Sequence, residues 1–109
     1  MSSAWEALLH VSSEDAFNQR YEKLLQDAER VWREFYGMKT DMIALLNDGT
    51  MNAQEALQCL EFNFEKVNRL VHQSLQFEGT GVDLTSFSLM MLGCASIYDS
   101  LVQRVVQNA

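Results

Sequence analysis

Three stretches of this chain repeat apolar residues at alternating spacings of three and four. The first runs Phe17, Tyr21, Leu24, Ala28, Val31, Phe35, Met38, Met42, Leu45. The second runs Ala53, Leu57, Leu60, Phe64, Val67, Val71, and the third Leu84, Phe87, Met91, Cys94, Tyr98, Leu101, Val105. Such spacing lines side chains along one face of a helix, and that face needs another helix against it. The pattern predicts an all-α protein. Its long helices cover about residues 14–46, 53–78 and 84–107, and short loops make neighbours antiparallel, giving a three-helix bundle.

The helix ends are also written in the sequence. Ser3 with Glu6 has capping-box spacing ahead of Trp5, Leu8 and Leu9, which predicts a short N-terminal helix within residues 1–12. Ser12 and Ser13 offer a fresh N-cap, with Glu14 and Asp15 in the first turn of the long helix. Gly37 lies inside that helix, but Phe35, Met38 and Met42 keep phase across it, so a continuous helix is expected. Asn47-Asp48-Gly49 ends it, with Gly49 or Asn47 able to take a left-handed cap, and Asn52 with Glu55 starts the next. Gly79 and Gly81 end the second helix and Asp83 caps the third. The first long helix exceeds its partners by roughly two turns, about 10 Å of unmatched seam, a first pointer to a second chain and a larger helical assembly.

Composition narrows the class. At 109 residues the chain is one domain, residues 1–109, with a single core. Fifteen acidic against eight basic residues give a net charge of −7, which disfavours binding to nucleic acid or anionic membranes. No basic, apolar leader is visible, and the uncharged stretch 84–98 is too short to span a bilayer, so a cytoplasmic protein without membrane insertion is expected. Cys59 and Cys94 sit in apolar helical runs and read as reduced thiols, although an interhelical disulfide is compatible with their positions.

The last helix bears most on function. Opposite its seam lie Leu89, Leu92, Gly93 and Ser96, and residues 84–98 carry no charge. Either this helix is wrapped by the rest of the chain, or Leu89, Leu92, Gly93 and Ser96 meet another protein, a second copy or a different subunit. The second alternative is favoured. Trp5, as a fold-back anchor or a hook, and Phe62, which departs from the Leu60–Phe64 seam, are further partner-binding candidates. Trp32, Phe35, Tyr36, Phe64 and Phe77, at helical spacing, are assigned to the core. The expected function is a non-catalytic helical interaction module working in a homodimer or hetero-complex, as an adaptor, assembly subunit or chaperone, with no cofactor and no metal.

Two local patterns suggest other chemistry. A helical bundle with His72 on a helix resembles a histidine phosphotransfer domain in outline, and the resemblance implies a phosphoacceptor imidazole; the lysine usual one turn later is replaced by Leu75. The turn Asp48-Gly49-Thr50-Met51-Asn52-Ala53-Gln54-Glu55 is similar to the latter half of an EF-hand loop. That likeness implies oxygen ligands from Asp48, Thr50 and Glu55, whereas the first two ligand positions fall on Ala44 and Leu46. In length and helix count the chain resembles spectrin-type repeats and the amino-terminal bundles of membrane-fusion proteins. No nucleophile–base pair, Cys/His cluster or phosphate loop is present at useful spacing.

Overall fold

A computed structural model of the protein describes residues 3–107, with the side chains of residue 4 and of residues 13–107. Helix α1 spans Ser3–Asn47, α2 spans Ala53–Ser74 and is extended by a 3-10 turn at Leu75–Phe77, and α3 spans Thr85–Gln107. No strand occurs among the described residues. The three helices pack against one another and share one core.

The expected boundary at Ser12-Ser13 does not form, and α1 is one helix of 45 residues. Serine costs a helix interior only some tenths of a kcal/mol, and no glycine or proline sits there to stop propagation. At 1.5 Å per residue α1 is about 67 Å long, which accounts for the 71 Å long axis of a molecule only 21 × 17 Å across. It passes through Gly37 without interruption. The surplus length lies at its N-terminal end: residues 3–16 precede Phe17, the first described α1 side chain packed against the core, and Ser13 to Ala16 are exposed. That surplus is about 20 Å, twice the expected overhang.

The core follows the seams of α1 and α3 closely. Leu24, Ala28, Val31, Phe35 and Met42 are buried on α1, and Phe87, Met91, Cys94, Leu101 and Val105 on α3. Ile97, expected beside the α3 seam, is buried too. On α2 the buried line is Ala56, Leu60, Val67, Leu70 and Ser74, so the seam is turned relative to the expected one and Val71 is 43% exposed. Ser74 tolerates burial because its hydroxyl donates to the Val71 carbonyl at 2.6 Å. Phe64 on α2 stacks on Tyr98 of α3, with ring centroids 4.3 Å apart.

The turns fix where each helix sits along its neighbours. Asn52 Oδ1 accepts from the Glu55 N–H at 2.8 Å while Glu55 Oε1 accepts from the Asn52 N–H at 3.2 Å, a complete capping box. Gly49 takes φ +79°, a left-handed conformation that ends α1 and that a side chain would disfavour. At the other end of the molecule Phe77 is 1% exposed, set edge-on to Phe17 at 5.3 Å and beside Tyr21 at 5.7 Å. The Tyr21 hydroxyl donates to the Asp83 carbonyl, and Asp83 Oδ1 accepts from the Thr85 N–H at the start of α3. Hydrogen bonds from Thr85 hold the Asp83 carboxyl below the usual carboxylate range, and those from Thr50 do the same for Asp48.

Phe77 thus anchors the α2–α3 connection on α1. Phe77→Ala is expected to cost about 3–5 kcal/mol, as for other buried aromatic truncations, whereas Val71→Ala changes stability by less than about 0.5 kcal/mol. Urea unfolding followed by circular dichroism checks both, and equal losses at the two positions would contradict the turned α2 seam.

Candidate functional site

α3 has apolar residues on two sides, and the core takes one of them. Leu89 and Leu92, at 64% and 65% exposure, stand on the other. Ser96, one turn on, is also exposed, and Gly93 is half-buried. The space beside Gly93 is taken by this chain's own α1: a Cβ there would stand 3.0 Å from Trp32 Nε1 and 3.3 Å from Cδ1. Gly93 therefore seats Trp32, and a partner arriving at this point meets an indole before it meets bare backbone. Trp32 in turn lies 5.9 Å from the ring of Tyr36, which is 65% exposed. A shallow hollow of about 400 Å³ lies between α1 and α3, lined by Trp32, Leu89 and Met90 with Ser86, Thr85 and Asp83. The apolar surface thus spans two helices, Leu89 and Leu92 on α3 and Trp32 and Tyr36 on α1.

Two of these four residues were assigned to the core from spacing. Tyr36 is the correction. It follows the seam residue Phe35 by one position, about 100° round the helix, which carries its ring to the surface. Trp32 is half-buried, with one side against Gly93. The available signal was Gly93 itself, a glycine inside a helix, where absence of a side chain costs about 1 kcal/mol unless something packs against it.

The other candidates lie elsewhere. Phe62, on α2, is 63% exposed, with Lys66 Nζ 5.4 Å from its ring centroid, and stands apart from the α1/α3 surface. Trp5 falls outside the described side chains. Val71, Leu75 and Val106 are exposed as single apolar residues.

His72 is exposed in the last turn of α2. Arg69, one turn before it, faces Glu65 at 3.9 Å, and Leu75 is half-exposed at the position where the resemblance asks for lysine. Glu55 and Asn52 form the α2 capping box and Asp48 Oδ1 accepts from the Thr50 N–H at 2.9 Å, so these oxygens serve helix and turn ends. Among the described residues no group of three metal-ligating side chains converges.

Between α1 and α2 the surface is charged. Lys23 and Arg30 flank Asp27 at 3.6 and 3.0 Å, and Lys66 reaches Glu34 at 3.3 Å across the two helices. These ion pairs lie on a different side of α1 from the apolar surface, which the Arg33–Glu29 pair at 2.6 Å borders one turn from Trp32 and Tyr36. By length and composition alone α3 could also cross a membrane, its most apolar 18 residues having mean hydropathy 1.2, a property that the core helix of a soluble protein shares.

Compared with protein-family models, with curated proteins and with solved structures, the chain matches none.

The two cysteines are free and differ in reactivity. Cys94 is fully buried, and burial pushes its thiol up to about 11, while Cys59 is half-buried, 3.6 Å from Asn63 Nδ2. The thiolate is the nucleophile, so Cys94 is inert in the folded protein. Because its folded pKa is raised, the stability linked to Cys94 is intact below the unfolded thiol pKa of about 8.5 and is lost as pH rises toward 11. Iodoacetamide at about pH 8 is expected to modify Cys59 alone, with Cys94 reacting only after urea is added. Equal labelling of both in the native protein would contradict the packing of α3.

Proposed function

We propose that this chain is a cytoplasmic, non-catalytic helical interaction module, built as an antiparallel, up-down-up three-helix bundle that joins a larger helical assembly. The course of the helices is supported by three contacts spread along α1: Phe17 and Tyr21 with Phe77, Glu34 with Lys66, and Asn47 with Arg104 at 3.4 Å. The observation that carries the functional reading is the exposure of Leu89 and Leu92 on the uncharged part of α3, beside Trp32 and Tyr36. Fully burying a leucine is worth about 1.5–3 kcal/mol, and a contiguous apolar surface with aromatic residues is the usual centre of a protein–protein contact. Covering it with another chain, as an adaptor, assembly subunit or chaperone does, recovers that energy. The charge of −7, carried elsewhere, keeps the free protein dispersed.

Leu89→Glu with Leu92→Glu is expected to leave helicity by circular dichroism unchanged, since both side chains already face solvent. It is expected to reduce the native mass of the protein from its source, measured by light scattering, to that of the single chain. A variant that keeps the wild-type native mass would refute the reading.

A second reading rests on the exposed ring of His72, which an incoming phosphodonor could reach, as in a phosphotransfer domain. It has less support, because the nearest cation on α2 is engaged with Glu65 and no lysine follows. Incubation with acetyl phosphate should then add one phosphoryl mass to the wild type and none to His72→Gln. No addition to the wild type rules this reading out.

A further inference from the structure

We propose that the α1/α3 surface is covered by a second copy of this chain, in a parallel dimer whose two-fold axis runs along the helices; this rests on the interaction-module reading above. The argument is one of register and charge. Trp32 on α1 lies against Gly93 on α3, and the two helices advance together from the Tyr21–Asp83 contact to the Asn47–Arg104 contact. Counted from the Trp32–Gly93 contact, Lys39 is seven residues on and Asp99 six; counted back from the Asn47–Arg104 contact they are eight and five, so their heights agree to within about three residues' rise, about 4.5 Å, which a lysine side chain spans. Both are exposed. Among the described residues neither forms an ion pair.

They do not pair within one chain because they lie on different lines. Trp32, Tyr36 and Lys39 follow one another at helical spacing on α1. Leu92, Ser96 and Asp99 do the same on α3, round the helix from Gly93. Each line is apolar at its start and carries one charge at its end, and the charges are opposite. A two-fold axis along the helices preserves height and exchanges the lines. It brings Trp32 and Tyr36 of one copy to Leu92 of the other, with Leu89 beside the axis, and Lys39 to Asp99. The same set of contacts forms twice. The hollow beside Trp32 receives the opposing leucines, so the surface supplies both the projection and the recess that an isologous contact requires. An unrelated partner would have no reason to match the spacing of Lys39 and Asp99.

Sedimentation equilibrium of the purified full-length chain, from low to several hundred micromolar, tests this. The wild type is expected to show a monomer–dimer equilibrium. Lys39→Glu and Asp99→Lys should each weaken it about tenfold, since each reversal acts at two symmetric sites. The double variant Lys39→Glu/Asp99→Lys should return to wild-type affinity. Circular dichroism of each variant reports the fold. A wild type monomeric throughout the range overturns the proposal. So does a dimer indifferent to both single reversals, or a double variant no tighter than the singles. The interaction-module reading fails separately, if the native mass survives Leu89→Glu/Leu92→Glu.

Discussion

The structure is governed by one limit: a helix in a bundle of three can turn a single stripe inward. α1 and α2 largely obey it: ion pairs of Asp27 with Lys23 and Arg30, and of Glu34 with Lys66, line their shared surface, and the large rings they expose, Tyr36 and Phe62, stand singly on each helix. α3 does not. Its inward stripe, from Phe87 to Val105, fills the core, and Leu89 and Leu92 are left largely exposed on the other side.

The relative heights of the helices come from small contacts at the ends. Phe77 fills the gap between Phe17 and Tyr21, Tyr21 holds the Asp83 carbonyl, and Asp83 starts α3. The Asn52–Glu55 capping box sets the start of α2 at the opposite end. With both ends set, Trp32 arrives opposite Gly93, the only position on α3 where an indole fits against the helix without a Cβ to push it away. A helix that gives up about 1 kcal/mol of propensity to glycine recovers it by close packing of a large aromatic ring. The aromatic edge of the apolar surface is therefore a consequence of register set some 15 Å away along the helix, about ten residues at 1.5 Å each.

How much of this was legible in the sequence differs from helix to helix. The seams of α1 and α3 were, because the residues at three-four spacing coincide with the buried lines, Leu24 to Met42 and Phe87 to Val105, and adjacent apolar residues, Ile97 apart, fall beside them. On α2, Leu70 and Val71 are adjacent and both apolar, and periodicity alone cannot choose between them. The choice is made by packing, which buries Leu70, Ser74 and Phe77 on one line. The break expected at Ser12-Ser13 failed for a different reason. A capping residue permits a helix to start but does not oblige the preceding one to stop, and serine inside a helix is only mildly unfavourable. At the candidate site, Leu89 and Leu92 were visible as apolar residues off the seam. Tyr36 was not, since aromatic residues near a seam are normally core, and the role of Gly93 as a seat for Trp32 required knowing which residue of α1 lies opposite.

Specificity is the property that leucines alone cannot supply. Two exposed leucines make a surface that any apolar partner can cover, in any orientation, and such a surface favours disordered association as much as a defined complex. The neighbouring features are directional. The indole of Trp32 is held at one height by Gly93, and Lys39 and Asp99 mark the far ends of two separate lines with opposite charge. A misaligned partner would leave Lys39 or Asp99 facing apolar atoms as water is excluded, and an unpaired charge in that setting is penalised far more than a correct pair is rewarded. In the proposed dimer the leucines therefore furnish the drive to associate. The two charges, at similar heights on opposite lines, select one register from the many that the leucines would accept.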